Sequence, residues 1–162
     1  MSITFQPARP ADLPAIMAIE HAGFTPAEAA SQASMAARIA AYPETFITAH
    51  QAGRLVGYVV GPAIQRRHLT DDLFEIAQPN SKTAPYLAIL SLAVAPEVQG
   101  QGIGSALLAA LSDLGKRQHR RGLTLTCLAK LVPFYTRNGF VSDGQSASTH
   151  AGEVWFDMVK QL

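Results

Sequence analysis

Hydrophobic and polar residues recur with two different periods in the first quarter of the chain. Residues 3–7 alternate weakly, which predicts a first strand. Apolar residues then recur at helical spacing from Leu13 to Glu20, and Gly23 ends this predicted helix. A second helix is predicted over residues 26–41. It has few large apolar side chains, so it is either a mobile substrate loop or an ordinary surface helix.

The middle of the chain predicts strands separated by one long loop. Residues 45–61 have the pattern of a β-hairpin with its turn at 51–53. Residues 64–85 are polar and irregular, with one helical turn expected near 72–76, and a loop of this length is typically functional or mobile. The apolar run 86–94 predicts a central strand that is buried on both faces.

The last third of the chain begins with a clearly amphipathic helix. Its apolar face is formed by Ile103, Leu107, Leu108, Leu111 and Leu114. A strand is then predicted at 123–128, a short helix at 132–137, and final strands at 140–142 and 153–160. This order of elements predicts a mixed α/β sheet within a single domain spanning residues 1–162.

Composition and charge limit the possible partners. A chain of 162 residues with 48% hydrophobic content can bury one sizeable core. The net charge of +1 gives no electrostatic reason to expect a nucleic acid or a membrane as partner. Cys127 is the single cysteine, and no long apolar leader or span is visible. We therefore expect a cytoplasmic protein without a metal, acting as a monomer or homodimer.

A glycine-rich loop joins the central strand to the amphipathic helix. Its backbone N–H groups lie at a predicted helix N-terminus, which favours binding of a phosphate or pyrophosphate. A Walker loop is excluded because Ile103 and Gly104, not Lys and Ser or Thr, follow Gly102. A dinucleotide fingerprint is disfavoured by the glycine spacing and by the absence of an acid about twenty residues later. The loop and helix start comprise Gln99, Gly100, Gln101, Gly102, Ile103, Gly104 and Ser105.

The loop resembles motif A of the GNAT acyltransferases, which is Q/R-x-x-G-x-G/A after an apolar strand. Gln99, Gly102 and Gly104 match that motif. In that family the loop binds the pyrophosphate of acetyl-CoA. The alternative is a glycine-rich turn that binds no ligand.

A second motif, residues 125–140 with the sequence LTCLAKLVPFYTRNGF, strengthens the resemblance. GNAT enzymes have a strand, a short helix with a tyrosine, and a turn followed by Gly-Phe. More narrowly, Cys127 and residues 131–135 resemble the arylalkylamine (serotonin) N-acetyltransferases. The resemblance implies a mostly antiparallel mixed sheet flanked by helices, splayed between strands at about 86–95 and 122–128. It also implies acetyl transfer from acetyl-CoA, as co-substrate, to a primary amine such as an arylalkylamine or polyamine.

The same resemblance assigns roles to particular residues. The backbone at Leu92, Ala93 and Val94 would pair with the pantetheine of acetyl-CoA like an added strand. Tyr135 would be the general acid that serves the departing thiolate, since a phenol stays protonated at neutral pH. The alternative for Tyr135 is a tyrosine that only packs in the core. Aromatic side chains that could line an amine pocket, although such residues are more often core, are Phe24, Tyr58 and Tyr86.

The chain departs from the resembled enzymes at their paired histidines. The corresponding positions are Ala88 and Leu90, and neither can accept a proton. Direct attack by an amine that arrives deprotonated is therefore expected. Cys127 is interpreted as a small core residue, because no histidine lies near it in the chain to activate a nucleophile.

Two other functions stay open. One is acetylation of a protein N-terminus or lysine, which needs a groove where a small amine needs a pocket. The other is a non-catalytic sensor that binds acyl-CoA, which the missing histidines favour and the presence of Tyr135 disfavours. The sequence leaves open the acceptor amine, the physiological acyl group and the general base.

Overall fold

The computed structural model describes residues 2–162, and its strands form two sheets. The first sheet has the order β1 (Ile3–Pro7), β2 (Phe46–Gln51), β3 (Arg54–Val60) and β6 (Ser91–Val94). The second has the order β4 (Ala63–Ile64), β5 (Tyr86–Ile89), β7 (Gly122–Leu128), β9 (Trp155–Gln161) and β8 (Val141–Gln145). Four helices flank them: α1 (Leu13–Gly23), α2 (Gln32–Ala41), α3 (Ile103–Arg117) and α4 (Val132–Arg137).

All strand pairs are antiparallel except the parallel pair of β5 with β7. The predicted mixed, mostly antiparallel architecture flanked by helices is therefore confirmed. Among residues 2–162, no helix has the length and apolar character needed to cross a membrane.

The apolar run 86–94 forms two strands in two sheets, instead of the one continuous strand expected. β5 pairs with β7 as far as Ile89 opposite Leu125, and β6 pairs with β3. The change of sheet occurs at Leu90, whose N–H donates to the Val60 carbonyl at 2.8 Å. Beyond this point β6 and β7 are no longer neighbours, so the two sheets separate as predicted. Periodicity could not show the split, since both strands are equally apolar.

Close backbone contact at Gly61 supports this change of sheet. A Cβ at Gly61 would lie 1.5 Å from the carbonyl oxygen of Ala88. Only glycine fits here, because any side chain would collide with the backbone of β5. The end of β3 can therefore approach the strand that leads into the crossing.

The second helix begins later than predicted and is firmly packed. α2 starts at Gln32, where the Ser31 hydroxyl accepts a hydrogen bond from the Ser34 N–H at 3.1 Å. Met35 and Ile39 are 0% and 5% exposed. These two buried side chains anchor α2 in the core. Residues 24–31 form the connecting segment that precedes it.

The long loop before β5 is attached to β8 by charged contacts. The Arg67 Nε donates to Asp143 at 2.7 Å, and His68 Nε2 lies 2.6 Å from the same carboxylate. Hydrogen bonds from Arg67 and then His68 lower the pKa of Asp143 to about 2. The loop contains one 3₁₀ turn, Asp71–Phe74, close to the helical turn that the sequence predicted.

Candidate active site

A cavity of about 230 Å³ lies where β6 and β7 separate. One wall is the end of β5 and the start of β6, and the opposite wall is the end of β7. Helices α1, α2 and α4, the segment before α2, the loop before β5 and the loop before β9 form the rest of the lining. The lining includes Phe24, Glu28 and Ser34, then Phe74 and Glu75, then Leu125 and Cys127, then Tyr135, and finally His150 and Trp155.

Tyr135 is the predicted general acid, and the short helix α4 places it in this cavity. Its ring makes edge contacts with Phe134 at 5.1 Å and Phe140 at 5.5 Å between centroids. Burial, with a smaller effect of the Cys127 thiol, raises the pKa of Tyr135. The phenol is therefore protonated at neutral pH and can only donate a proton.

Cys127 faces the same cavity from β7 and is 2% exposed. Burial raises the pKa of its thiol to about 11. At neutral pH it is therefore not a thiolate nucleophile, which agrees with its interpretation as a small core residue.

No other strand of residues 2–162 pairs with the outer edge of β6. Residues that exchange hydrogen bonds across an antiparallel pair alternate with residues that face away. Ala95 donates its N–H to the Val56 carbonyl at 2.8 Å, so Ala93 also faces β3. The N–H and C=O groups of Leu92 and Val94 therefore point to the open edge, where a ligand could add as a strand.

The glycine loop continues directly from that edge. Gly100 and Gly102 have φ of +82° and +81°, a left-handed conformation that favours glycine, and Gly102 is the N-cap of α3. Gln99 donates from its side chain to the Val94 carbonyl at 3.3 Å. A Cβ at Gly104 would lie 3.3 Å from the Phe134 ring. This close contact brings the start of α3 against α4, the helix that carries Tyr135.

The remaining residues of the predicted loop have different environments. The side chain of Gln101 accepts a hydrogen bond from Gln51 at 3.3 Å on the surface. Ile103 is buried in the core and Ser105 is half-buried in the first turn of α3. The loop thus offers its backbone, not a set of charged side chains, to a bound anion.

The predicted amine-pocket residues do not all reach the cavity. Phe24 lines it. Tyr58 is fully buried behind the wall, with its hydroxyl hydrogen-bonded to Glu20. Tyr86 lies away from the cavity and packs against Gly122, where a Cβ would be 3.3 Å from its ring.

Glu20 is a cavity residue that sequence analysis did not identify as functional. It is 3% exposed, and its carboxylate accepts hydrogen bonds from Tyr58, from Ser91 at 2.7 Å and from the Ala30 N–H at 2.8 Å. These contacts connect α1 to β6 and to the segment before α2. The signal in the sequence was a carboxylate on the apolar face of the predicted first helix.

Arg38 was missed for the same reason. It lies between Met35 and Ile39 on the buried face of α2, is 3% exposed and lines the cavity. His150 is the one histidine among residues 2–162 that lines it, and its ring stacks on Phe74 with centroids 5.9 Å apart. Within the same residues, no group of three or more His, Cys, Asp and Glu side chains could hold a metal.

An open strand edge, a glycine loop at a helix N-terminus and a partly open cavity with a buried tyrosine lie together in this fold. Residues 17–162 match the family model described as an acetyltransferase (GNAT) domain. The chain therefore belongs to the GNAT acetyltransferase family. This confirms the predicted family, whose co-substrate is acetyl-CoA.

A curated relative points to a narrower group. The chain is 35% identical over 108 residues to the serotonin N-acetyltransferase of Mesocricetus auratus. That match covers 66% of this chain and 51% of the relative, so the chain spans about half of that protein's length.

Solved structures share the fold at low sequence identity. Ard1 from Thermoplasma volcanium has a TM-score of 0.80 at 23% identity, over 100% of this chain and 99% of its own. YncA from Salmonella typhimurium, a putative acetyltransferase solved with its cofactor acetyl-CoA, has a TM-score of 0.71 at 20% identity, covering 100% and 95%. Naa50 from Arabidopsis thaliana, in complex with a bisubstrate analogue, has a TM-score of 0.76 at 18% identity, covering 100% of both chains.

Proposed function

We propose that this protein transfers the acetyl group of acetyl-CoA to the primary amine of a small molecule. One observation carries the proposal: a cavity of about 230 Å³ lies between the separated strands β6 and β7, directly beside the open edge of β6. A thioester held along that edge would reach the cavity with its acetyl group, where an amine could meet it.

The cofactor would be bound by backbone groups from two elements. Leu92 and Val94 would pair with the pantetheine amides, and Ala93 between them keeps β6 attached to β3. The pyrophosphate would bind the N–H groups of the loop from Gln99 to Gly104 at the start of α3. This arrangement leaves the acyl end of the cofactor as the part nearest the cavity.

The reaction follows from the groups around the cavity. The amine nitrogen attacks the thioester carbonyl carbon, the C–N bond forms, and collapse of the intermediate breaks the C–S bond. The Tyr135 hydroxyl gives its proton to the departing CoA sulfur, and the proton that the attached nitrogen loses restores the hydroxyl. Burial keeps the phenol protonated at neutral pH, so the proton is present when the sulfur departs.

No histidine is present at position 88 or 90 to remove a proton from the amine. We therefore propose direct attack by the amine in its deprotonated form. The buried Glu20 carboxylate supplies negative charge that favours the approach of an ammonium group from solution. Three hydrogen bonds occupy its oxygens, so Glu20 has an ordering role in the wall of the cavity.

The volume of the cavity, about 230 Å³, favours a small acceptor. Its lining includes Phe24, the loop residues Phe74 and His150, and Trp155 at the start of β9. Together with the resemblance to arylalkylamine acetyltransferases, these aromatic rings favour an aromatic amine over a polyamine. We place this reaction in the cytoplasm, with the protein acting as a monomer or homodimer.

Acetylation of a protein N-terminus is the second candidate. Exposed apolar side chains lie beside lining residues in the sequence: Ile76 follows Glu75 and Val154 precedes Trp155, with 58% and 54% exposure. An extended peptide could contact such side chains after its first residue entered the cavity.

A thiol-release assay with acetyl-CoA tests the proposal and separates the two acceptors. Arylalkylamines, polyamines and short peptides are compared at equal concentration. We expect turnover with the small aromatic amines and little with peptides. Preferred acetylation of peptides would support the second candidate, and acetyl-CoA binding without turnover on any amine would support a sensor.

A further inference from the structure

Arg38 lines the candidate cavity with most of its hydrogen-bonding capacity unused. Within residues 2–162 its guanidinium donates one hydrogen bond, from Nη2 to the Phe74 carbonyl at 3.2 Å. A guanidinium has five N–H donors and carries a charge at all physiological pH values. The side chain is 3% exposed and contributes to the lining of the cavity, so donors without a protein partner are available to a ligand bound there.

Among residues 2–162, the Arg38 guanidinium forms no salt bridge. Glu20 is close enough for its charge to oppose the effect of burial, which lowers the pKa of Arg38. The Glu20 oxygens, however, accept their hydrogen bonds from Tyr58, Ser91 and Ala30. A buried charge is normally paired and hydrogen-bonded, so an arginine in this state is suited to receive an anion.

We infer that the acceptor amine carries a carboxylate, that Arg38 binds this carboxylate, and that the acetylated substrate is an amino acid. The inference rests on the proposed function and names the substrate class for it. The planar guanidinium fork matches a carboxylate in a bidentate arrangement, which a simple arylalkylamine could not use.

Glu20 and Arg38 together match both ends of a free amino acid. Glu20 is hydrogen-bonded to Ser91, the residue before Leu92, where the thioester is proposed to lie. The ammonium end of the substrate would therefore approach Glu20 and the thioester, with the carboxylate end directed to Arg38. Opposite charges on the two buried residues fit a zwitterion, and they do not fit an amine with one positive charge only.

The remaining surface of the cavity suits an aromatic side chain. Phe24, Phe74 and Trp155 come from three different segments and contribute rings to its lining. Such rings favour an apolar, planar group. The substrate is accordingly an aromatic amino acid.

The test compares L-phenylalanine with L-phenylalaninamide and 2-phenylethylamine as acceptors. The amide keeps the size of the acid and removes its negative charge. We expect the kcat/KM ratio of acid to amide to fall at least about 30-fold in Arg38→Gln, mainly through KM of the acid. Comparing the ratio between variants cancels the different intrinsic reactivity of the two amines. Arg117→Gln, at an exposed arginine near the end of α3, should keep the wild-type ratio.

A second measurement protects the test against misfolding of the variant. Calorimetry on the wild-type protein with CoA compares the binding of N-acetyl-L-phenylalanine with that of its amide. The Arg38→Lys variant keeps the positive charge but loses the planar guanidinium fork. Equal binding of acid and amide would overturn the inference, although acetyl transfer to any small amine would still support the proposed function. Binding that requires the carboxylate, without any acetyl transfer, would support the Arg38 site and contradict the proposed reaction.

Discussion

Replacing Tyr135 with phenylalanine removes one hydroxyl from the candidate cavity and keeps the ring. The edge contacts with Phe134 and Phe140 involve the ring alone, so packing should survive. The hydroxyl hydrogen-bonds to no protein atom that the structure describes, so no partner is left unsatisfied by its loss. We therefore expect the unfolding free energy to change by less than about 1 kcal/mol.

The expected loss of activity is much larger than the loss of stability. Donation to the departing sulfur strengthens as negative charge develops there, so kcat and kcat/KM should fall together. General acid catalysis is worth about 10²- to 10⁴-fold, or about 2.7 to 5.4 kcal/mol of transition-state stabilisation. Burial raises the pKa of Tyr135 and makes it a weaker acid, which favours the lower part of this range.

The assay measures steady-state thiol release and, separately, the affinity for acetyl-CoA by calorimetry. Tyr42→Phe is the matched control, because Tyr42 is also buried but does not line the cavity. It should keep full kcat. Full kcat in the Tyr135→Phe variant would show that Tyr135 is not the general acid. A loss of acetyl-CoA affinity as large as the loss of kcat would contradict that role as well.

Three further predictions concern the loop, the cavity wall and the long loop. Gly102→Asp should abolish the thermal stabilisation by acetyl-CoA, about 2.7 kcal/mol at a hundredfold excess over Kd. Gly53→Asp is the control, because Gly53 has a φ of +78° against +81° for Gly102 and the substitution causes similar backbone strain. This variant should keep the stabilisation by acetyl-CoA. Equal loss in both variants would mean that backbone strain alone explains the effect of Gly102→Asp. Glu20→Gln should lower the unfolding free energy by about 1–3 kcal/mol in urea titrations. One carboxylate oxygen accepts from Tyr58 and Ser91 and the other from the Ala30 N–H, and the amide nitrogen that replaces either oxygen cannot accept a hydrogen bond. Unchanged stability would contradict the ordering role of Glu20. Asp143 has a folded pKa below its usual 3.8, so its stabilisation should be present above that pH and disappear as pH falls through about 2. The melting temperature relative to Asp143→Asn should show that loss, and a constant difference down to about pH 2 would refute it.

The fold was largely predictable because its elements have strong periodic signals. α3 buries Ile103, Leu107, Leu108 and Leu111, the face that the sequence predicted. The change from one sheet to the other at Leu90 was not predictable, because it depends on which strands pair with the two halves of the apolar run. Periodicity describes the faces of an element and contains no information about its partners.

The candidate site was predictable only where backbone chemistry or a motif marked it. The glycine loop and Tyr135 belong to sequence motifs. Tyr135 lines the cavity, and the end of the loop at Gly104 packs against α4, the helix that carries Tyr135. Glu20 and Arg38 are charged residues on the apolar faces of two helices, and each was absorbed into a helical pattern. Burial of a charge at such a position is costly unless the charge is paired, so a charged residue on an apolar helix face indicates a partner or a ligand.

The position of β9 has a consequence for the synthesis of this protein. β9 is the last strand in sequence, yet it lies inside the second sheet, between β7 and β8. Trp155, at its start, is part of the cavity wall. While the ribosome still holds residues 155–161, the second sheet lacks an interior strand and β8 has no neighbour. The nascent chain can therefore complete its first sheet, including the edge of β6, but gains the part of the cavity wall at Trp155 only after residues 155–161 leave the ribosome.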